Sequence, residues 1–415
     1  MLAFQKNRSL QTNRCLARLL LCLWSFSALA DNDAHVLIAG IEGSLVNTST
    51  PLTSWLEGGL GKLRDDENTD DLNPYTSLTR YNSFLSYSGR LTPTLNVKAT
   101  LFYNADLSNG LDLSEAFLEF RPVPRTAWRA RFRLGAFYPH ISMENIDVAW
   151  TSPYTLSSST INTWFAEEVR TIGLESRFGR NFGTSGQHGF NFEGAIFWLN
   201  DPAGALLAAK GWSVHDRQTG ITSELPLRFG TTFEPFEELD GNAGFYVGGE
   251  YRYGKRLMLR YHHYNNHGDP IQDATWGDTW HTFFDAAGLQ FALPWDIGFI
   301  GQWIHGRTRL QDVDAGFDTW SGLLTRPFGK HRVSVRYDDF YLDQALASGG
   351  VRHLDTGSSW TVAWLFHPSE NVRLAVEWLE IESTRPQFVS AGFPATVAET
   401  QIIVSIRFLL SNQLN

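Results

Sequence analysis

The chain has 415 residues and is acidic, with 34 lysine and arginine residues against 44 aspartate and glutamate residues and a net charge of −10. This balance speaks against nucleic acid as a partner. Aromatic residues make up 14% of the sequence, which has 36 glycines and only 3 methionines; this composition favours strands and turns over helices. After residue 30 no stretch approaches the roughly 18 consecutive apolar residues of a membrane helix, so any membrane-spanning segments would be strands.

Residues 1–30 are predicted to be a secretory signal peptide. Four basic residues precede the apolar run Leu19 to Phe26, and Ala28 and Ala30 follow it in an Ala-x-Ala pattern. A charged start, a short apolar centre and small residues at the end are typical of a cleaved export signal. We therefore expect cleavage after Ala30.

Both cysteines of the sequence, Cys15 and Cys22, lie in this predicted signal peptide. The exported chain would then have no disulfide, which argues against a small secreted disulfide scaffold. Loss of four of the 34 positive charges leaves 30 against 44 acidic residues, a net charge of −14.

The rest of the chain, residues 31–415, reads as one unit with sixteen strands, most of them about ten to thirteen residues long. Strands in soluble domains usually have about five or six residues, whereas strands that cross a membrane at a tilt have about nine to eleven. The strands are predicted at 35–46, 78–90, 95–106, 111–121, 128–138, 167–178, 189–200, 243–254, 256–265, 281–293, 296–306, 315–325, 332–342, 357–366, 371–382 and 398–409.

The connections between these strands are unequal, because short turns follow most even-numbered strands and long polar loops follow most odd-numbered ones. Short turns on one rim and long loops on the other are typical of outer-membrane barrels. The sequence therefore predicts an all-β, 16-stranded antiparallel transmembrane barrel. The long insert 201–242 could be a plain external loop, a folded-in plug or one more strand pair, and the last of these would give 18 strands. A soluble sandwich would have shorter strands.

The predicted strand from Trp128 to Tyr138 carries arginine at every second position: Arg129, Arg131 and Arg133. Side chains alternate faces along a strand, so the three arginines share one face. A charged arginine facing lipid at the midplane costs about 2–4 kcal/mol, so we expect this face to line the lumen. The other arginines expected to line the pore are Arg121, Arg170, Arg332 and Arg336.

The segment around this strand resembles the phosphate-selective family of outer-membrane porins. The resemblance covers about residues 128–177 and depends on the runs RLGAFYP at 133–139, MEN at 143–145, SPY at 152–154 and EEVRTIGLE at 167–175. It implies a sixteen-stranded, usually trimeric barrel in which arginines draw anions inward. It also implies Arg129, Arg131 and Arg133 as candidates for that arginine ladder.

Residues 139–166 form the third external loop, and since this loop commonly folds into the barrel of sixteen-stranded porins and constricts it, its position in the chain predicts the same here. Its carboxylates could face the lumen arginines, and such an arrangement would sort solutes by charge and dipole. Alternatively, the loop packs outward and its charges are solvated. The candidate constriction residues are Glu144, Asp147, Trp150, Tyr154, Trp164, Glu167 and Glu168.

Two features depart from the family pattern. The exported chain has only five scattered lysines, Lys62, Lys98, Lys210, Lys255 and Lys330, and no lysine cluster. Barrels of this kind usually finish on an aromatic residue, whereas Phe408 is followed by seven more residues. Either the last strand ends at Phe408 with a short tail, or it extends further.

Metal and catalytic sites are weakly supported by the sequence. His262, His263 and His267 with Asp269 have no known ligand spacing, and the acidic run 65–71 is more typical of a solvated loop. No Gly-x-Ser-x-Gly motif occurs, so we expect no enzyme activity, and we predict no cofactor and no metal.

The function predicted from the sequence is an outer-membrane porin for passive diffusion of small polar or anionic solutes. The alternatives are a dedicated exporter or importer of an acidic polymer or organic acid, and a lipid-modifying or structural barrel. The expected partners are these solutes, outer-membrane lipid and lipopolysaccharide, and two further copies of the chain in a homotrimer.

Overall fold

The structure is a computed structural model that describes residues 35–65, 75–105, 110–226, 232–270, 272–273, 277–346 and 353–413. The predicted signal peptide and its cleavage site lie outside the described residues. Sixteen strands form a closed antiparallel barrel in which each strand pairs with its sequence neighbours and the first strand pairs with the last. Among the described helices, none is long and apolar enough to cross a membrane.

The sixteen predicted strands are confirmed, and the alternative of 18 barrel strands is wrong. The strands are β1 (His35–Ser49), β2 (Tyr75–Thr92), β3 (Leu95–Asn104), β4 (Leu111–Phe120), β5 (Trp128–Phe137), β6 (Thr171–Phe182), β7 (His188–Trp198), β8 (Gly244–Tyr253), β9 (Leu257–Asn265), β10 (His281–Ala292), β11 (Gly298–Leu310), β12 (Val313–Phe328), β13 (His331–Leu346), β14 (His353–Ser369), β15 (Val372–Thr384) and β16 (Thr396–Gln413).

Several strand ends differ from the sequence prediction, and two of these differences matter for the architecture. Strand β6 begins at Thr171 rather than at 167, because residues 160–168 form a helix instead. Strand β16 continues to Gln413, which pairs with Val36 near the start of β1. The last strand therefore extends beyond Phe408, and no short tail follows that residue.

Strand β13 shows how the sequence directs each face of the wall. Ser334, Arg336 and Asp338 point inward and are buried, whereas Val333 and Tyr341, on the alternate face, are exposed. This period of two follows from strand geometry and gives the barrel a polar inner face and an apolar outer face. An outward-facing set of aromatic side chains follows the wall from β9 to β14: Tyr261, Trp303, Trp320, Tyr337 and Trp360.

The third loop and the insert after β7 are long connections that fold into the barrel. The third loop, residues 138–170, contains a 3-10 turn (Val148–Trp150) and helix α1 (Thr160–Glu168). The insert after β7 contains helix α2 (Ala205–Lys210) and the short pairing of Leu225–Pro226 with Thr232–Phe233. Helix α3 (Pro386–Ser390) lies in the connection before β16. The insert is therefore a folded-in plug, not a plain external loop or a strand pair of the barrel.

We call residues 138–170 and 199–226 together the plug. Its large apolar side chains are buried against aliphatic and aromatic residues of the inner wall, in one continuous core. Burying one such side chain stabilises a structure by about 1.5–3 kcal/mol, so this core holds the plug firmly. The core members contributed by the plug include Phe165, Val169, Trp212 and Val214, and those contributed by the wall include Phe284, Phe317, Phe340 and Leu379.

Candidate functional site

The third loop crosses the lumen from β5 to the opposite wall and returns. The backbone N–H of Met143 donates to Gln302 of β11 at 2.8 Å. Further on, the N–H groups of Leu156 and Ser157 donate to the Glu377 carboxylate of β15 at 2.6 and 2.9 Å. The loop is therefore attached to the wall at β11 and β15, far from β5 where it begins, and it occupies part of the lumen.

Glu144 is the central attachment of this loop. Its Oε1 lies 2.6 Å from Nη1 of Arg336, and Arg336 also contacts Asp338 at 2.9 Å and the Ser157 carbonyl at 2.8 Å. Burial alone would raise the pKa of the Glu144 carboxyl, but Arg336 and hydrogen bonds from Ser159 and Asn162 outweigh it and hold this pKa below its usual value. Since Glu144 and Arg336 are both buried, the pair anchors the loop and does not face open solvent.

Glu167 and Glu168, at the end of α1, attach the insert to the third loop. Glu167 lies 2.6 Å from Lys210 and 2.8 Å from His215. Glu168 accepts hydrogen bonds from two backbone N–H groups in the first turn of α2. The donors are Leu206 at 2.8 Å and Leu207 at 3.1 Å. Burial raises the pKa of Glu168 to about 7, despite these hydrogen bonds. Both carboxylates are therefore buried anchors of the plug.

Trp150 belongs to a layered stack of side chains. Its ring lies 4.0 Å from the Tyr138 ring at an angle of 10°. The guanidinium of Arg170 lies 4.3 Å from the Tyr138 ring and 4.8 Å from the Phe236 ring. Arg170, predicted to line the pore, is therefore fully buried in this stack, since cation–π contacts and plug residues cover it.

The other predicted aromatic residues of the loop have different positions. Trp164 is buried in the apolar core of the plug. Tyr154 packs with Met143 and Ile300, and the guanidinium of Arg332 lies 5.2 Å from its ring. Asp147 is exposed and caps the 3-10 turn at Val148. Of the predicted loop residues, only Trp150 and Asp147 line the two recesses described below.

The three arginines of β5 point inward, but two of them are paired with carboxylates. Nε of Arg133 lies 2.8 Å from Glu175 of β6. Arg131 lies 3.2 Å from Glu175 and 3.7 Å from Glu119 of β4. Arg129 is exposed toward the rim with short turns. The acids that face these arginines therefore come from neighbouring strands and not from the third loop.

Alternating charges continue along the wall to β9. Arg177 and Arg260 both contact Glu250, at 2.9 and 2.7 Å, and His262 lies 2.5 Å from Glu193. The sequence prediction missed these carboxylates. The sequence does contain a pattern that indicates them, because glutamate recurs at the inward positions of β6, β7 and β8, beside inward arginines.

Of the remaining predicted arginines, Arg121 is exposed and lies 2.6 Å from Glu119. Arg336 is buried beneath the plug, as described, and lines no open space. Arg332 is half-buried on β13, and its Nη1 donates to the Thr325 hydroxyl at 3.0 Å.

Open space remains on the side of the lumen formed by β1–β3 and β16. One recess, which we call the wall recess, lies between these strands and the plug. It has about 720 Å³ of empty volume, including the part that is open to solvent. A second recess, which we call the mouth recess, lies closer to the rim with short turns. The wall recess is lined by Glu42, Asn82, Phe84, Phe102, Asn145, Trp150, Asp216, Gln218 and Arg407, among others; the mouth recess is lined by Asp147, Arg332, His367, Glu370, Arg373 and Arg407, among others.

Arg407 lines both recesses and therefore lies between them. It forms an ion pair with Glu42, and Arg373 contacts the same carboxylate at 3.0 Å. None of these three residues was selected from the sequence, because β1, β15 and β16 meet only when the barrel closes.

A second cluster borders the wall recess on the side of the long loops. Asp216 of the insert lies 2.8 Å from Arg64 of the first loop and 3.0 Å from Arg80 of β2. The arginines hold the pKa of Asp216 below its usual value, although burial opposes them. Three separate chain segments meet in this cluster, so no local sequence pattern predicts it.

The histidine cluster proposed from the sequence is divided between the two faces of the wall. His262 points inward, whereas His263 points outward and lies 3.0 Å from Asp285. The acidic run falls mainly outside the described residues. Carboxylate oxygens of Asp201, Glu238 and Asp240 lie within 4.8 Å of one another, but the backbone N–H groups of Leu239 and Asp240 already donate to Asp201.

The barrel is similar to solved structures of outer-membrane proteins. A loop-deletion form of OmpT, an outer membrane protein of Vibrio cholerae, matches with a TM-score of 0.51 and 9% sequence identity over 91% of this chain and 100% of that chain. An anion-selective porin from Comamonas acidovorans matches with a TM-score of 0.50 and 10% sequence identity over 91% of this chain and 99% of that chain. At such low identity the similarity shows a porin-type barrel fold.

No protein-family model matches the chain, and no curated protein matches it either. The resemblance to the phosphate-selective porins therefore stays a prediction.

Proposed function

We propose that this protein is a bacterial outer-membrane porin for the passive diffusion of small polar solutes, with a preference for anions. The single observation that supports it most is the pair of recesses that share Arg407 in their linings and lie beside the plug. A solute would pass along the wall formed by β1–β3 and β16.

Size selection in this proposal results from the plug. Its apolar core and the Glu144–Arg336 pair occupy the far side of the lumen, so transport would use the side next to β1–β3. The paired charges from β4 to β9 would create a transverse field, which favours solutes that are polar or have a dipole.

The proposed anion preference depends on the mouth recess. Arg373 and Arg407 share one carboxylate, Glu42, while Arg332 contacts a hydroxyl and an aromatic ring. The acids beside them, Asp147 and Glu370, are exposed, and dissolved salt screens exposed charges. The ladder of β5 contributes less, because Glu175 and Glu119 neutralise Arg131 and Arg133.

This proposal is broader than phosphate selectivity, since the lysines of the chain form no cluster. A homotrimer and contacts with lipopolysaccharide remain part of the proposal, and no catalytic step is included. The alternative of an organic-acid importer shares the arginine-lined mouth and differs in having a single preferred solute.

The test is ionic conductance of the purified protein in a planar bilayer, with the reversal potential measured across a salt gradient. We expect small steps of conductance and a modest anion preference. Absence of any conductance would contradict the porin proposal, and cation preference would contradict the anion part alone. Membrane fractionation of the native host tests the outer-membrane location independently.

A further inference from the structure

We infer that the wall recess is a binding site for a small uncharged saccharide. The inference rests on the proposed function and names the solute class that this part of the channel would accept. It depends on four features of the recess: a strained turn, a supported aromatic ring, two amide oxygens without partners, and carboxylates that are already paired.

The strained turn consists of Ala149 and Trp150, which both have φ of 55°. Two consecutive residues other than glycine in the left-handed region cost free energy, and such strain is concentrated at functional sites. The turn is held by side-chain amides: Asn145 donates to the Trp150 carbonyl at 3.1 Å, and Gln218 donates to the Ala149 carbonyl at 2.8 Å. Both amides also line the recess.

This turn fixes the Trp150 ring at the edge of the recess. The ring is supported by Tyr138, which is itself in contact with Arg170. On the barrel side, Phe84 and Phe102 line the same recess. Fixed aromatic rings on two sides of a cleft suit the apolar faces of a sugar ring, and the many polar groups of the same lining suit its hydroxyl groups.

Two amide groups in the lining have an oxygen without a partner. Asn145 is 6% exposed, and its Oδ1 accepts no hydrogen bond from any described residue. Asn82, on the opposite side of the recess, is half-buried, and its Oδ1 likewise accepts no hydrogen bond from any described residue. Buried amide oxygens almost always have a partner, so these two point to a ligand that donates hydrogen bonds. Hydroxyl groups are such donors.

The charges of the recess favour an uncharged ligand over an anion. Glu42 is already paired with Arg373 and Arg407, and Asp216 with Arg64 and Arg80. The other side chains of the lining are neutral amides, hydroxyl groups and apolar groups. An anion would instead be held in the mouth recess, where Arg332 lacks a carboxylate among its described contacts.

The experiment measures block of the ionic current in a planar bilayer by maltose, glucose and inorganic phosphate, each added in increasing concentration. We expect maltose and glucose to reduce the current in a saturable way, and phosphate not to. Asn82→Ala should raise the half-blocking concentration of maltose about tenfold, which is the effect of losing one hydrogen bond to a ligand. Phe102→Ala should weaken the block by about three- to tenfold.

The matched control is Leu101→Ala, next to Phe102 on β3 but on the outer face, and it should leave the block unchanged. Equilibrium dialysis of labelled maltose against detergent-solubilised protein measures binding without transport. A current that sugars do not alter, together with no binding in dialysis, would overturn this inference and leave the porin proposal intact. Binding of maltose by a protein that conducts no current would support the saccharide site and contradict the porin proposal. If maltose blocks Asn82→Ala, Phe102→Ala and Leu101→Ala as strongly as it blocks the wild type, the site lies elsewhere and the inference is also overturned.

Discussion

Glu144 of the third loop and Arg336 of β13 form a buried ion pair across the lumen, with 2.6 Å between Oε1 and Nη1. The loop leaves the barrel at β5, eight strands before β13, so this one contact fixes the loop against the opposite wall. Breaking a buried pair by removing one partner costs about 3–5 kcal/mol, because the other charge stays buried.

We therefore expect Glu144→Gln to release the third loop while the barrel strands stay paired. The variant should have a larger conductance than the wild type and faster proteolysis within residues 138–170. Bilayer recording and limited proteolysis measure these two effects. The control is Asp314→Asn, which breaks an exposed pair with Arg307 and should change neither quantity, since exposed pairs contribute about 0–1 kcal/mol. Unchanged conductance in Glu144→Gln would mean that the loop stays in place without this pair.

The attachment of the insert should weaken in acid because of His215. The structure favours neutral His215: Nδ1 accepts the backbone N–H of Arg217 at 3.2 Å and Nε2 faces Glu167 at 2.8 Å. Burial lowers the pKa of His215 from 6.5 to about 4. Its contribution to stability is therefore complete above pH 6.5 and is lost as the pH falls from 6.5 toward 4, by on the order of 3 kcal/mol.

The variant His215→Gln tests the direction of this pH dependence, because glutamine can donate and accept hydrogen bonds in the same places and does not titrate. Hydrogen exchange of residues 199–226 at pH 7.5 and 4.5 should show a larger increase in the wild type than in the variant. Part of the pH dependence should remain, since burial also lowers the pKa of His140 to about 4. The control is His305→Gln, on the exposed outer face, and it should behave as the wild type. An equal increase in His215→Gln and the wild type would exclude His215 as the source.

Anion preference should depend more on Arg332 than on Arg131. Arg332 faces the mouth recess, whereas Arg131 is paired with Glu175 and Glu119. One charge about 5 Å from a passing ion is worth about 0.8 kcal/mol in water. Arg332→Gln should therefore lower the anion-to-cation permeability ratio about three- to fourfold, and Arg131→Gln should lower it less. The reversal potential measures the permeability ratio of each variant. A larger effect of Arg131→Gln would mean that the arginines of β5 are the main determinant of anion preference.

The barrel was predictable from the sequence because each strand carries its own signal. Alternation in β13 and in the arginine strand β5 places each side chain on one face, and the unequal connections give the order and direction of the strands. The error at β6 has a local cause. The run TINTWFAEE at 160–168 forms a helix capped by Ser159, and the strand prediction included its last two residues.

The candidate site was only partly predictable, because its partners are distant in sequence. The arginines of β5 were found from their spacing, but Glu175 faces Arg133 only through the register of β5 with β6. Arg407 and Glu42 meet only on closure of the barrel by β1 and β16. Trp150 was selected as a bulky loop residue, whereas its left-handed backbone and its stack with Tyr138 have no signature in the sequence.

Asp216 should control access to the wall recess from the side of the long loops. It bridges Arg64 of the first loop and Arg80 of β2, so Asp216→Ala would leave two buried guanidinium groups with one carboxylate fewer. These groups should move apart or toward water, since a buried charge without its partner is costly. We expect a larger single-channel conductance and a stronger anion preference, with barrel strands unchanged by circular dichroism. Asp318→Asn, on the exposed outer face of β12, is the control and should conduct as the wild type. If Asp216→Ala also conducts as the wild type, solutes enter by a route that does not pass this cluster.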